Sequence, residues 1–297
     1  VVRQPLGAVA WILAQRLSDD ALMSWGWRLV FGSSLVVTVV AMVIRRKLNE
    51  SPVFQELKEK RERPASPVKE VLTVGRRPML LVLFMNWGIS TQSYTYQVFM
   101  ASYLVTTVGV DKKFVPEVLL LGAVCGGIAA LGFGTLSDRF GRKPVYTTIL
   151  SALVLLPVPT FVALNSGSKT AITVAIVIGF ILACQGAVGV QMSFFPELFG
   201  NRYRYAGVTL GREFSSVIGG GVAPLVCTAL VTAFSGSWIP VAVYMTLITT
   251  VSLVATRMAP ETRDRDLNLP YDATDPGGAR ARQEETVPGD RLEKVGD

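Results

Sequence analysis

Long stretches without a single charged residue constrain this chain more than any other feature it has. Residues 29–44, 118–136, 145–164, 170–196 and 214–239 hold no Asp, Glu, Lys or Arg. A helix needs about 20 mostly apolar residues to cross the hydrocarbon core of a bilayer. Backbone in lipid has no water to bond, so each run must satisfy its own amides as a helix. The composition agrees: 50% of residues are hydrophobic and 17% charged, against about 25% charged in a soluble domain. Core helices of a soluble protein would need amphipathic sequence to cover them, and this chain offers little. The expected fold class is an all-α membrane protein.

Hydropathy sets seven complete spans, at 27–45, 79–107, 114–136, 145–164, 170–194, 207–234 and 237–258. An apolar piece at 5–14 precedes them and ends at Gln15 and Arg16. Helix of that length rises only about 15 Å, so it reads as the second half of a span. Lys and Arg crowd the connections at 45–77, 137–144 and 201–204 and the tail from Arg257. The alternate side holds only Arg16, Arg28, Lys112, Lys113 and Lys169. The positive-inside bias therefore predicts a multi-pass protein of the cell membrane, bathed in membrane lipids, with segment 45–77 and the C-terminus in the cytoplasm. Ser51 as N-cap and Pro52 in the first turn predict a short surface helix, broken by Pro64 and Pro67. Beyond Pro260 the sequence is polar and rich in Gly, Pro, Asp and Arg, a composition expected to be disordered.

Several function classes fall away. The net charge is +7, but cations confined to short connections speak for topology and against nucleic acid as a partner. The chain has no histidine, which removes the usual metal ligand, general base and switch near neutral pH. Cys125, Cys184 and Cys227 lie inside apolar runs, at spacings that fit neither metal ligation nor a disulfide framework. No nucleophile motif is present. The chain is not expected to be an enzyme, and neither catalytic nor metal-ligating residues are assigned.

The strongest local motif is the connection at 134–144, Gly-Thr-Leu-Ser-Asp-Arg-Phe-Gly-Arg-Lys-Pro. Gly134 would let a neighbouring helix approach, and Gly141 would take a turn conformation closed to other residues. Asp138 needs a partner at the membrane edge, and the candidates are Arg142 four residues on and the positive end of an adjoining helix. Arg139 and Lys143 complete a cluster able to latch two helices in one state and release them in another. Gly134, Asp138, Arg139, Gly141, Arg142 and Lys143 are the predicted gating loop.

This loop resembles the signature of the major facilitator superfamily, in its second-half position. Ser-Trp-Gly-Trp-Arg at 24–28, Glu-Ser-Pro-Val-Phe at 50–54, Phe-Pro-Glu-Leu-Phe at 195–199 and Arg-Tyr-Arg-Tyr-Ala-Gly at 202–207 are similar to the metabolite:proton symporters. That group carries shikimate, 2-oxoglutarate, citrate, proline and betaine. The resemblance covers residues 5 to about 266. It implies two six-helix halves, alternating access and symport of a small-molecule metabolite with protons, the proton serving as coupling ion without any cofactor. On that map the chain is the C-terminal six-helix half plus the sixth helix and part of the fifth helix of the N-terminal half. Residues 1–45 would be the remnant of the first half and 46–78 the cytoplasmic inter-half loop. Residues 79–258 would be the six-helix transmembrane bundle and 259–297 a disordered cytoplasmic tail. The chain is thus expected to be N-terminally truncated and inactive in transport alone, because the missing N-terminal half is required. The alternative is a non-transporting fragment, or a half-transporter remnant that oligomerises.

Polar residues inside apolar spans are costly and usually face a cavity or a partner. Asn86, Ser90, Ser93 or Tyr94, and Gln97 recur every three or four residues, which places them on one helical face. Such a stripe suits an oxygen-rich solute, and equally suits hydrogen bonding between helices. Gln185, near Gly186 and Gly189, is a second candidate lining position, whereas Gln191 is expected to point to a different side. Arg212 and Glu213 lie about 9–10 Å into their span if it starts near Ala206. Glu213 is the candidate proton carrier, and Arg212 is expected to attract an anionic substrate or to hold a nearby carboxylate; a fixed structural ion pair is the competing reading. Gly219, Gly220 and Gly221 before Pro224 predict a bend or a close helix crossing.

Overall fold

The computed structural model describes residues 22–47, 67–267, 269 and 271–274, and no strand occurs among them. The half-span at 5–14 and the surface helix opened by Ser51 lie outside the described residues. Helix α1 is a π turn at Leu22–Gly26 continued by Trp27–Lys47. A short α2 covers Pro67–Thr73. Helix α3 runs through Arg76–Tyr94, a π turn at Thr95–Phe99, and Met100–Thr106. Helix α4 is Phe114–Phe140. Helix α5 is a pair, Arg142–Leu155 and Pro157–Leu164, bent by 46°. Helix α6 is Lys169–Glu197 with a π turn at Phe180–Gly186, and α7 is Arg204–Ala233 with one at Ser216–Gly221. Helix α8 is Ile239–Met258.

Helices α4, α6, α7 and α8 are each long and apolar enough to cross a membrane, and the bent α5 counts as a fifth. Helix α3 falls short of that apolarity because it carries Asn86, Ser90, Gln92, Ser93 and Gln97. Those residues face neighbouring helices. Gln92 is one that sequence reasoning passed over. Pro157 has no N–H to offer the Leu153 carbonyl one turn back, and its ring bends α5 there. The Gln92 Nε2 donates to that freed Leu153 carbonyl (3.0 Å) and to Thr249 Oγ1 (3.0 Å). A proline break inside a span is tolerable when a neighbour satisfies the orphaned backbone group in this way.

Two close approaches set the packing of the bundle. A Cβ on Gly189 of α6 would lie 2.1 Å from the Ala130 carbonyl oxygen of α4, so these helices touch backbone to backbone, as small residues allow in membranes. Where α8 crosses α3, the Ser252 hydroxyl inserts into the ladder of α3, accepting from Gly88 N–H (2.7 Å) and donating to the Phe84 carbonyl (2.6 Å). Between α3 and α7, a Cβ on Gly219 would lie 2.8 Å from the Trp87 carbonyl oxygen, and one on Gly220 2.6 Å from the Tyr94 ring. The glycine run thus makes a close crossing and a π turn, and Pro224 follows at the start of the next α-helical stretch.

The tail departs from expectation. Disorder was expected from 259, yet the described part, to residue 274, folds back onto the α6–α7 connection. The Asp272 carboxylate, buried, accepts from Gly200 N–H (2.9 Å) and Tyr203 OH (2.8 Å), while Ala273 N–H donates to the Leu198 carbonyl (3.0 Å). A polar composition disfavours an apolar core, but it does not prevent a segment from capping free backbone groups on a neighbour. Residues from 275 onward lie outside the described residues.

Candidate functional site

The α4–α5 turn is built around two residues. Gly141 sits at φ 102°, a region that strains any side chain, and an added Cβ would also meet the Glu261 carboxylate at 2.8 Å. Arg142 is the centre of the charges. Its guanidinium pairs with Asp138 one turn earlier, bonds Ser137 Oγ (2.8 Å), and lies 3.2 Å from Glu197 at the end of α6. Arg142 and Glu197 side chains are 11% and 10% exposed, so this pair is shielded far more than an ordinary surface bridge. Glu197 also accepts from Thr262 Oγ1 (2.6 Å). Glu261 accepts from the N–H groups of Arg142 (2.9 Å) and Lys143 (3.0 Å), an anion placed against the positive N-terminus of α5.

The remaining members of the predicted loop take smaller parts. Lys143 Nζ bonds the Arg257 carbonyl (2.9 Å), and the Arg139 carbonyl accepts from Arg263 (2.7 Å). Gly134 is different from expectation: a Cβ there would meet only the Gly189 carbonyl oxygen at 3.6 Å, an ordinary contact. The tight approach belongs to Gly189 instead. Glu197, Glu261 and Thr262 were not named as site residues. Their signal was an acid standing in a cation-rich connection, in Phe-Pro-Glu-Leu-Phe and in Pro-Glu-Thr.

Deeper in the bundle lies a network of neutral side chains on four helices. Asn86 Nδ2 donates to Ser215 Oγ of α7 (2.6 Å) and Ser90 Oγ (3.0 Å), and approaches the Arg212 carbonyl (3.5 Å). Its Oδ1 accepts from Gln191 Nε2 of α6 (2.9 Å), which also donates to the Tyr146 hydroxyl of α5 (2.8 Å). Tyr146 in turn donates to the Met85 carbonyl (3.2 Å). All five side chains are buried. Gln191 was expected to point away from the site. It does point away from Gln185, but the side it faces is the one that holds Asn86. Gln185 packs on α4, where a Cβ on Gly126 would lie 3.0 Å from its side chain.

The polar stripe of α3 therefore divides. Asn86 and Ser90 join α7, while Gln97 bonds Ser93 Oγ (2.7 Å) beside Cys184 of α6, whose Sγ donates to the Ser93 carbonyl (3.7 Å). Tyr94 lies on the exposed side, with its ring against Gly220. The π turn that begins at Thr95 breaks the regular spacing assumed for Gln97.

Helix α7 begins at Arg204, so Arg212 lies about 12 Å along it at 1.5 Å per residue. Arg212 is half-buried and Glu213 exposed on the outer face of the bundle. Neither forms an ion pair with a described residue. Among the described residues, no group of His, Cys, Asp or Glu is arranged to hold a metal ion.

Known proteins bear on this arrangement. The chain is 28% identical over 271 residues to the putative transporter YdfJ of Escherichia coli K12, covering 90% of this chain and 63% of that protein. It is 30% identical over 239 residues to the shikimate transporter of the same organism, covering 79% of this chain and 54% of the relative. A proline/betaine transporter of Escherichia coli K12 is 28% identical over 275 residues, 88% of this chain and 54% of its own length. The chain thus spans little more than half the length of the curated relatives it matches, and these relatives are transporters by name, not enzymes. Residues 8–224 match the Major Facilitator Superfamily, which upholds the resemblance read from the 134–144 connection. The chain belongs to the Major Facilitator Superfamily.

Proposed function

We propose that this chain is the second half, with a remnant of the first, of a secondary transporter that carries a small polar metabolite together with protons by alternating access. The organic acid or zwitterion class is favoured by the relatives, which carry shikimate, proline and betaine by name. Arg212 attracts the anionic group of the substrate and Glu213 carries the coupling proton. Asn86, Ser90, Tyr94, Gln97 and Gln185 line or support the path, and the loop of Gly134, Asp138, Arg139, Gly141, Arg142 and Lys143 is the gate. Residues 79–258 act as one bundle, 46–78 as the link between halves, and the C-terminus lies in the cytoplasm of a cell-membrane protein.

One observation carries this reading: a cation and a carboxylate about 12 Å into a span, next to one another and without an ionic partner among the described residues. An ionisable side chain at membrane depth is costly in lipid, so it usually faces a cavity or another bundle and marks a substrate or ion path. Adjacent residues project in different directions, so the two are free to serve different ligands. Alternating access needs a second bundle to rock against; this chain alone is therefore inactive. The test is uptake of a panel of carboxylates and betaines into vesicles under an imposed proton gradient, by a transporter with both halves. Glu213→Gln is expected to lower gradient-driven accumulation by about tenfold or more, the scale of a lost general acid–base step, while exchange without a gradient persists. Undiminished accumulation by Glu213→Gln rules out the coupling role, and no uptake by either protein favours the non-transporting alternative.

A further inference from the structure

The described chain past α8 is anchored at its two ends and open between them. At the near end, Glu261 caps the N-terminus of α5 through Arg142 N–H (2.9 Å) and Lys143 N–H (3.0 Å), and Thr262 bonds Glu197 (2.6 Å). At the far end, Asp272 takes Gly200 N–H (2.9 Å) and Tyr203 OH (2.8 Å) on its two oxygens, and Ala273 N–H reaches the Leu198 carbonyl (3.0 Å). A cleft of about 760 Å³ lies between, lined by Phe140, Lys143, Arg265 and Tyr271 among others. Cations and carboxylates alternate along it, so it has no net charge to recruit a ligand. The anchors are what the segment offers.

We propose that the described residues between Glu261 and Ala273 act as a strap that ties the α4–α5 turn to the α6–α7 connection, with Asp272 as the pin that helps keep Glu261 seated. The strap regulates the proposed gate, and only that consequence rests on the transporter reading; the mechanical link stands or falls without it. Asp272 is 6% exposed, and its carboxylate accepts from Gly200 N–H and Tyr203 OH, on two residues that are themselves buried. Tyr203, its side-chain partner, also packs its ring on Gly75 at the start of α3, where a Cβ would lie 2.6 Å from the ring. Pinning Asp272 therefore fixes the strap to α3 and α7 together. Glu261, in contrast, is exposed, and by itself would exchange its bonds for water readily. The end of α8 at Met258 and the buried Thr262 hold it near the turn, and a strap held at the far end adds a second tether that raises its local concentration there further. Opening the turn then requires the pin to yield as well.

Hydrogen exchange on the purified chain in detergent micelles tests the link without any substrate. The amides of Arg142 and Lys143 open a helix and have no intrahelical carbonyl to bond; Glu261 is their partner. In Asp272→Ala, exchange at these two amides is expected to rise by about tenfold or more, alongside the increase in 198–204 that loss of the pin causes locally. If exchange rises in 198–204 alone while Arg142 and Lys143 keep their wild-type rates, Asp272 is a local staple and the strap is refuted. Should Asp272→Ala fail to fold, Tyr203→Phe removes one of the two bonds and keeps the ring on Gly75, and the same two amides decide between the same two outcomes.

Discussion

Replacing Gln191 by Leu asks whether the neutral network holds α3, α5 and α6 together or merely fills space between them. The side chains are close in volume, so a cavity contributes little. What is lost is the pair of bonds from Nε2 to Asn86 Oδ1 (2.9 Å) and to Tyr146 OH (2.8 Å). In a soluble core each orphaned partner would cost about 1–3 kcal/mol. That figure overstates the case here. Tyr146 keeps its bond to the Met85 carbonyl, and hydrogen bonds between membrane helices average about 0.6 kcal/mol with a maximum near 1.7. Two such bonds give an expected loss of about 1–3 kcal/mol. The assay is reversible unfolding of the purified chain in mixed micelles of rising SDS fraction, followed by circular dichroism. A double-mutant cycle with Asn86→Val isolates the Asn86–Gln191 bond, because the losses at Ser90 and Ser215 occur on both legs. The coupling is expected at about 0.6–1.7 kcal/mol. Additivity within about 0.3 kcal/mol would refute the bond as a contributor.

Two further tests address packing and orientation. Gly189→Ala forces a Cβ to within 2.1 Å of the Ala130 carbonyl oxygen, and separating α4 from α6 is expected to cost about 1–3 kcal/mol. Gly134→Ala meets only a 3.6 Å contact and is expected to stay within about 0.5 kcal/mol of the parent in the same unfolding assay; equal effects would contradict the packing described. For orientation, single cysteines replacing Lys112 and Lys143 in a cysteine-free background are labelled in intact cells with an impermeant maleimide. Position 112 should react from outside and position 143 only after permeabilisation, and reaction of both from one side would overturn the topology.

Sequence pattern and structure agree wherever hydrophobicity alone decides. The uncharged runs at 118–136 and 170–196 lie wholly in helices because lipid leaves the backbone no other partner, and α4 and α6 reach just past them into charged residues; the run 214–239 instead covers the rest of α7 to Ala233, the turn at 234–238 and the first residue of α8. The Asp138–Arg142 pair was legible because only four residues of sequence separate them across the tight α4–α5 turn. Contacts between distant segments were not. Nothing in the spacing of Gln92 announces that it serves the carbonyl freed by Pro157, since that depends on how α3 crosses α5. Gln191 does turn to a different side from Gln185, as its spacing implied, but periodicity gives the angle between two residues of a helix and not which neighbour occupies it, so the bond to Asn86 was not foreseen. The π turns in α3, α6 and α7 compound this, as each shifts the register of every side chain beyond it. Asp272 was hidden for another reason: a composition typical of disorder masks one residue whose carboxylate is buried.

The placement of charge within the bundle separates what has to hold from what has to let go. The ion pairs of Arg142 with Asp138 and Glu197, of Arg202 with Glu70 and of Arg263 with Asp264 lie at the end that carries the α4–α5 turn. Where water reaches, as at Arg263–Asp264, a broken pair can be rehydrated at modest net cost; the Arg142–Glu197 pair, 11% and 10% exposed, is costlier to break. Deep in the bundle, α3, α5, α6 and α7 are joined by neutral amides and hydroxyls. These bonds have no water to exchange with, and they remain made unless the helices part. A bundle joined this way is suited to rock as one body against another, with the contacts that must change kept at its rim and on the face that bears Arg212 and Glu213. On this reasoning, substitutions in the Asn86–Gln191 network should alter stability more than the balance between transport states, while substitutions at Glu197 should do the reverse.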